Sequence, residues 1–477
     1  MKKLNKITFF SLAMLSIVFS SCKKDFLEVA PTTAINAKEA FSTPETIAAA
    51  LTGIYDISSI PDFKYNMILN SDVKGGNVLL VSGGANYGRF VNGYQFIENA
   101  SSIEPNYYWT YGFRLINNAN QFELYIPTSP ITEAQKTAYL AEIRALRAET
   151  YFWMIQWFAK PFTLDPEALG LPLHTTPVGP DGPFKSRSSV REVYGQIVTD
   201  LLFAEANIPA SKTSIYRVTK ASIQGMLARV YLTMGNYPEA SKYAKLARAN
   251  KPLAAASTLL QGFRAPSSEW IYAINSRTDD NAGFLTVNSF YDPFDIGYSS
   301  FRVTQSFLNS FAANDVRRQQ LLINGAPATR GEGYLINKFD FNTSPAQDQV
   351  ILRSSEMYLI EAEAEARQGV ANEPAAKLAL QAIQARAIPG TGLSVNTGAA
   401  LINEILLERD KELFGEGHKF FDLLRTKTPV TRSASNSHWA IVNLQPGDNK
   451  LVLPIPLGEL QANPVLKPQQ NPGYANQ

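Results

Sequence analysis

The fold class follows from residues 217–250, which have the sequence RVTKASIQGMLARVYLTMGNYPEASKYAKLARAN. Before Gly235, apolar residues recur at spacings of three and four, and this period predicts an amphipathic helix. The pattern stops at Gly235, and Pro238 falls in the first turn of a second helix. Small residues, which let two helices approach closely, repeat along the second helix at Ala240, Ala244 and Ala247. The segment therefore predicts a helix, a glycine turn and another helix.

This unit resembles a tetratricopeptide repeat, and the same pattern of apolar and small residues appears elsewhere in the chain. Further units lie around 141–157 and 352–387, and a fourth helix pair falls within 108–125 or 190–206. The units do not follow one another at a period of about 34 residues, as they would in a plain solenoid. We therefore expect a mainly α fold of about four tetratricopeptide-like helix pairs, interrupted by long irregular insertions with little β structure.

The two insertions, 62–105 and 254–349, are rich in Gly, Asn, Ser, Tyr and Phe. Loops this long inside a compact protein are usually functional or partly disordered. Aromatic side chains beside Asn, Asp and Arg suit a sugar, because its apolar faces pack on rings while its hydroxyls need polar partners. The alternative is that these rings fill the core under the loops.

The N-terminus has the pattern of a secretory signal. Three lysines precede an apolar run over residues 7–19, and two serines then lead to Cys22. The run is shorter than the roughly 20 apolar residues that span a bilayer, and no longer run follows. Acylation of Cys22 would give a stable anchor. An ordinary signal peptide with an incidental cysteine is the alternative.

Composition excludes several classes of protein. Removal of residues 1–21 takes away three lysines and no acid, which leaves 44 − 3 = 41 basic against 42 acidic residues, so a nucleic-acid binder is disfavoured. Because Cys22 is the only cysteine, the chain has no disulfide framework and no thiolate metal cluster. Metalloprotease, phosphate-loop and nucleophile-elbow motifs are missing from the sequence. We expect no cofactor; Asp279-Asp280-Asn281 hints at calcium, but Phe290 stands where such a loop needs its last acidic ligand.

Glu404, Glu408 and Glu412 lie four residues apart on one predicted helix face. A glycosidase needs two carboxylates that face each other across the scissile bond. Glutamates in one row point the same way, so we interpret them as a solvated or ion-paired face. Gly415 and Gly417 would end this helix.

Three separated motifs resemble the SusD/RagB family. They are CKKDFLE at 22–28 followed by Pro31, ERDKELFGEGHKFFDLLR at 408–425, and a tail from LPIP at 453–456 to NPGY at 471–474. With the segments at 144–148 and 353–363, the resemblance spans nearly the whole mature chain.

The resemblance implies a surface-facing, lipid-anchored protein of the outer membrane, held by palmitate on Cys22, that covers a SusC-like TonB-dependent barrel. It implies a signal peptide at 1–21, an N-terminal helical region at 22–250 and a C-terminal region at 251–477, each of the two regions carrying one ligand loop. The ligand would be a glycan, captured without catalysis and delivered to the barrel. A peptide ligand, a surface hydrolase and a pure scaffold for other proteins are the alternatives.

For glycan capture, rings would stack on sugar and polar groups would orient hydroxyls. We predict these ligand-binding residues: Asp72, Asn77, Tyr87, Arg89 and Tyr94 from the first insertion, and Tyr291, Phe294 and Tyr298 from the second.

Overall fold

The structure is a computed structural model that describes residues 38–81, 86–179, 182–294, 296–321, 338–339, 341 and 346–475. The predicted signal segment and Cys22 lie outside the described residues. Within the described ranges, no helix is both long enough and apolar enough to cross a membrane.

Helices dominate the described chain. They are α1 (Pro44–Ser59), α2 (Asn66–Lys74), α3 (Val91–Gln95), α4 (Ile103–Tyr125), α5 (Glu133–Phe158), α6 (Val190–Asn207), α7 (Lys220–Met234), α8 (Tyr237–Arg248), α9 (Ala256–Leu259), α10 (Val287–Tyr291), α11 (Gln305–Asn309), α12 (Arg318–Leu321), α13 (Ser354–Arg367), α14 (Glu373–Ala387), α15 (Gly398–Leu413), α16 (Lys419–Arg425) and α17 (Leu457–Ala462).

The strands are short and form two-stranded antiparallel sheets. They are β1 (Val78–Leu80), β2 (Trp270–Ile274), β3 (Phe301–Val303), β4 (Gln349–Arg353), β5 (Val430–Arg432) and β6 (Val442–Leu444), paired β1 with β3, β2 with β4 and β5 with β6. The predicted fold class, mainly helical with little β structure, is confirmed.

The helix pair of α7 and α8 has the geometry that its sequence predicts. Gly235 ends α7 with φ +77°, a left-handed conformation that glycine adopts without steric cost, and its N–H donates to the carbonyl of Leu232 at 3.1 Å. The rings of Tyr231 and Tyr243 stack across the pair with centroids 5.7 Å apart. Ala244 is fully buried between the helices.

A buried arginine joins α4, α5 and α6. The guanidinium of Arg147 donates to both carboxylate oxygens of Asp200 at 2.8 Å, and to Asn120 and Glu123 at 2.7 Å. Bidentate arginine pairs fix geometry as well as contributing energy. Both segments considered for a fourth pair are therefore helical, and both pack against α5.

The last pair, α13 and α14, encloses a separate small apolar core that includes Leu359, Ala379 and Ile383. Its glutamates face the preceding pair, where Glu361 pairs with Arg248 and Glu365 with Lys245, each at 2.6 Å. The helix pairs are thus linked by charge as well as by apolar packing.

The first insertion is more regular than its composition predicts. It contains a π-helical turn at Pro61–Tyr65 and the helices α2 and α3. Every residue of α2 is buried, so its polar residues find partners inside the protein, as Lys74 does with Glu98 at 2.6 Å. A helix that is buried on all sides shows no apolar stripe in its sequence.

The two insertions meet in the sheet of β1 and β3. Val78 lies opposite Val303, and Leu80 lies opposite Phe301. This ladder brings the residues that follow β1 next to the residues that precede β3.

Candidate functional site

An exposed group of rings lies where the two insertions meet. Tyr87 is 86% exposed, and its ring stands edge-on to Tyr298 with centroids 6.2 Å apart. Phe284, 51% exposed, lies 5.9 Å from Tyr298 on the same measure. The guanidinium carbon of Arg89 lies 5.9 Å from the centroid of Tyr298. We call Tyr87, Arg89, Phe284 and Tyr298 the aromatic surface.

The backbone before Arg89 holds the Tyr87 ring out from the protein. The side-chain oxygen of Asn86 accepts from the N–H of Gly88 at 3.1 Å, and its amide nitrogen donates to the carbonyl of Arg89 at 3.2 Å. Such a turn is a common use of asparagine. Tyr87 itself has φ +54°, a conformation that costs a bulky residue energy and that concentrates at functional sites.

A buried carboxylate shapes the turn that carries Tyr298. Asp292 accepts from the backbone N–H groups of Ile296 and Gly297 at 2.7 Å and from that of Phe294 at 3.1 Å. The N–H of Tyr298 donates to the hydroxyl of Ser289 at 3.0 Å. The turn is therefore fixed by the protein and does not depend on a ligand.

Buried rings support the aromatic surface from below. Phe290 lies 4.8 Å from Tyr298 and 5.1 Å from Phe90, both measured between ring centroids. Phe301 of β3 completes this layer at 5.3 Å from Phe290. Surface rings held by packed neighbours lose little conformational entropy when a ligand binds.

Phe294 and Asn77 lie outside this group of rings. Phe294 is 43% exposed on the turn that carries Tyr298, but its ring is not among the contacts that join Tyr87, Phe284 and Tyr298. Asn77 is half-buried, and its amide nitrogen donates to Asp410 at 2.6 Å.

Three predicted ligand residues, Asp72, Tyr94 and Tyr291, are buried in the core. Their side chains are at most 4% exposed, and their contact with a ligand stays a prediction. The hydroxyl of Tyr94 is 2.6 Å from Nδ1 of His438, and the guanidinium of Arg432 lies 4.2 Å from the centre of its ring. These residues stabilise the base of the insertions.

Asp72 is held on both of its oxygens. The N–H of Gly417 donates to Oδ1 at 3.0 Å, and the hydroxyl of Tyr291 donates to Oδ2 at 2.9 Å. Burial raises the pKa of Asp72 to about 7, and these two hydrogen bonds offset only part of that effect.

In the glutamate row on α15, Glu408 and Glu412 are buried and ion-paired, whereas Glu404 is half-buried and accepts from neutral side chains. Glu412 receives hydrogen bonds from Arg353 at 2.7 Å and from Arg386 at 2.6 Å, and Arg353 also contacts Glu416 at 2.8 Å. Burial alone would raise the pKa of Glu412, but the guanidinium groups of Arg386, Arg353 and Arg317 bring it well below its usual value. A general acid needs the opposite shift.

Asp279 and Asp280 form a turn closed by an arginine. The Arg277 side chain lies 3.3 Å from Asp279, and the backbones of Arg277 and Asp280 are bridged. Across the described ranges, no three His, Cys, Asp or Glu side chains are placed to hold a metal ion.

Phe284 is the member of the aromatic surface that sequence reasoning missed. It directly follows Gly283, which ends the acidic turn, and that turn was considered only as a possible calcium loop. An aromatic residue at the exposed end of a polar turn was the signal available.

Two family models match the chain. The model described as "SusD family" matches residues 333–474, and the model described as "Starch-binding associating with outer membrane" matches residues 25–232. Together they cover both ends of the helical scaffold and the first insertion.

Similar proteins agree with these models. SusD-like protein P38 of Formosa agariphila is 24% identical over an alignment that covers 90% of this chain and 93% of that protein. A SusD superfamily protein from Bacteroides vulgatus superposes with a TM-score of 0.82 at 26% identity, over 91% of this chain and 100% of the other. A laminarin-binding SusD-like protein shares the fold, with a TM-score of 0.71 at 23% identity over 91% of this chain and 100% of the other. The chain belongs to the SusD/RagB family.

Proposed function

We propose that this protein binds glycans at a cell surface and that the aromatic surface is where it captures them. The observation that carries the proposal is the position of Tyr87, whose ring is held out of the protein at an angle to Tyr298. Two rings at an interplanar angle of 83° present one face and one edge to the same space.

The chemistry of this surface suits a polysaccharide. The apolar faces of sugar rings would pack on Tyr87 and Phe284, while the guanidinium of Arg89 and the two tyrosine hydroxyls would pair with sugar hydroxyls. Arg89 is half-buried, and its Nε is buried without a hydrogen-bond partner within the described ranges. Phe294, on the turn that carries Tyr298, would extend the apolar area that a longer chain covers. The surface is open at its edges, so it suits part of a polymer better than a small enclosed molecule.

The similar proteins support a glycan ligand. One structural relative binds laminarin, and one matching family model describes starch binding with association to the outer membrane. We propose that the ligand of this chain is an oligosaccharide or polysaccharide, and that the chain captures it without cleaving it.

We further propose that the mature chain begins at an acylated Cys22 in the outer membrane and faces the cell surface. There it would pass its glycan to a SusC-like TonB-dependent barrel. The two halves, 22–250 and 251–477, would each supply one insertion to the binding face. These proposals rest on the sequence motifs and on the outer-membrane association of the family model.

The test is binding of a soluble chain that starts near Asp25 to a panel of glycans, with new reducing ends assayed in the same samples. Wild-type protein should bind at least one glycan class and release no product. Tyr87→Ala should weaken that binding at least tenfold, because each stacked ring contributes about 1.5 kcal/mol or more.

Leu378→Ala is the matched control, since Leu378 is also exposed but lies on α14, which contributes nothing to the aromatic surface. If wild type and Tyr87→Ala bound the glycan with equal affinity, the aromatic surface would not be the binding site. Product in the assay would favour a hydrolase, and binding of peptides in place of glycans would favour a peptide importer.

A further inference from the structure

A cavity lies between α4, residues 172–178 and 183–185, and α17. It has a volume of about 290 Å³, at the lower end of the range for small-molecule sites, so it admits one sugar ring and not a chain. Its apolar wall includes Phe113, Ile116 and Phe184. It shares no residue with the aromatic surface.

Two residues that line this cavity, His174 and Asn463, each carry a buried polar atom without a partner in the described ranges. Asn463 is buried, and its Oδ1 accepts no hydrogen bond within the described ranges, while its amide nitrogen makes only long contacts, 3.4 Å to Glu459 and 3.5 Å to the carbonyl of Lys185. Nδ1 of His174 is also buried without a partner there. A buried polar group without a partner costs roughly 1–3 kcal/mol, so these atoms indicate a missing ligand or ordered water.

Burial lowers the pKa of His174 to about 4, with a further contribution from the nearby Lys185 cation. The imidazole is therefore neutral at pH 7, with one nitrogen that donates and one that accepts. A neutral histidine and an asparagine amide both suit hydroxyl groups, which donate and accept as well.

The charges at this cavity favour an anion. Arg114 is exposed at the lining and has no acidic partner in the part of the chain that the structure describes. Lys185 also lines the cavity, and its ammonium donates to the carbonyl of Leu173 at 3.0 Å. Glu459 is the acidic residue of the lining, and burial raises its pKa, although hydrogen bonds from Trp109 and Asn463 lower it in part. The lining therefore carries two cationic side chains and one carboxyl group whose pKa is raised.

We propose that this cavity binds a single sugar ring that carries a carboxylate, as a uronic acid does. The carboxylate would pair with Arg114, the ring would pack on Phe113 and Phe184, and its hydroxyls would pair with His174 and Asn463. The cavity would then recognise an acidic residue at the end or on a branch of a glycan. It would do so independently of the aromatic surface.

The test is titration of the soluble chain with D-glucuronate and with D-glucose, followed by ligand-observed NMR. Wild type should bind glucuronate roughly tenfold more tightly than glucose, the effect of one charge-assisted pair. Arg114→Gln should remove this preference. Ala462→Trp should abolish binding of both sugars, because Ala462 is exposed at the cavity lining and a large ring there fills the space.

Arg191→Gln is the matched control, because it removes the same charge from an exposed arginine outside the cavity, and glucuronate affinity should stay at the wild-type value. Tyr87→Ala should leave it unchanged as well, which separates this proposal from the aromatic surface. The assignment would be wrong if wild type failed to bind glucuronate or bound the two sugars with equal affinity. It would also be wrong if glucuronate binding survived Ala462→Trp.

Discussion

Asp72 and Tyr291 are 219 positions apart in sequence and share a buried hydrogen bond of 2.9 Å. Each comes from a different insertion, so the bond joins the insertions behind the aromatic surface. Asp72 also accepts from Gly417, at the end of the glutamate helix, which brings a third segment to the same carboxylate. The contact is structural, and its chemistry makes it sensitive to pH.

Replacement of Asp72 by Asn should flatten the pH dependence of stability. Burial raises the folded pKa of Asp72 to about 7 from a usual value of 3.8, so the folded chain retains a proton that the unfolded chain releases between those values. This group's contribution to stability is therefore present at low pH and is lost as pH rises toward 7. Urea unfolding of both proteins at about pH 5 and about pH 8 measures the change.

Wild type should lose stability relative to Asp72→Asn between those two conditions, because asparagine cannot ionise and still accepts from Gly417. Parallel profiles would mean that Asp72 is ionised in the folded protein throughout this range.

Tyr94→Ala and Tyr87→Ala should have opposite effects. Tyr94 is fully buried, so its truncation should lower the free energy of unfolding by about 3–5 kcal/mol. Tyr87 is exposed, so its truncation should leave the melting temperature nearly unchanged while it weakens glycan binding. Thermal unfolding and affinity, measured on both variants, check the assignment of one ring to the core and the other to the surface. A stable Tyr94→Ala protein with lost affinity would reverse it.

Arg353→Met should destabilise the protein strongly. Arg353 is 1% exposed and contacts Glu269 and Glu412, in addition to Glu416. Its removal leaves buried carboxylates without compensation, which costs about 3–5 kcal/mol. Glu412 and Glu416 have lowered folded pKa values, so their contribution is present near neutral pH and is lost only as pH falls below the usual glutamate range.

The control for Arg353→Met is Arg277→Ala, which breaks an exposed ion pair and should cost at most about 1 kcal/mol. Chemical denaturation compares the two directly. Similar losses for both variants would show that the buried cluster contributes no more than a surface pair.

Gly417→Ala should cost more than Gly390→Ala. Both glycines have positive φ, +78° and +89°, so alanine pays a similar conformational cost of about 1 kcal/mol at each position. A methyl group at Gly417 would also lie 3.0 Å from Cα of Ile68, whereas nothing lies within 4 Å of one at Gly390. The difference in melting temperature between the two variants reports the packing of the glutamate helix end on α2.

The helix pairs could be predicted from the sequence because the spacing of their apolar residues is visible within each segment. In α7 and α8 the stripe, the glycine turn and the proline of the second helix all lie within one segment, and no distant contact is needed to interpret them. The helix α2 was missed for the reverse reason. Lys74 pairs with Glu98 and Asp72 accepts from Tyr291, both outside the helix, so the sequence of α2 has the polarity of a loop.

The candidate site was predictable only in part. Composition pointed to aromatic residues in each of the two insertions, and the structure places Tyr87 of the first beside Tyr298 of the second. Burial separates Tyr87 from Tyr94, and no local pattern predicts this, because both residues follow small turn-forming segments. Whether a ring in an irregular segment faces in or out depends on contacts such as the one between Tyr94 and His438.

The pairing of β1 with β3 has a consequence for biogenesis. The strand that ends at Leu80 pairs with a strand that begins at Phe301, so this ladder cannot form until the second insertion has been synthesised. Helix pairs such as α7 and α8 can form earlier, since their contacts are local. A chain that ends before Phe301 would therefore lack the ladder that brings the two insertions together, which makes the proposed binding face one of the last parts of the fold to be completed.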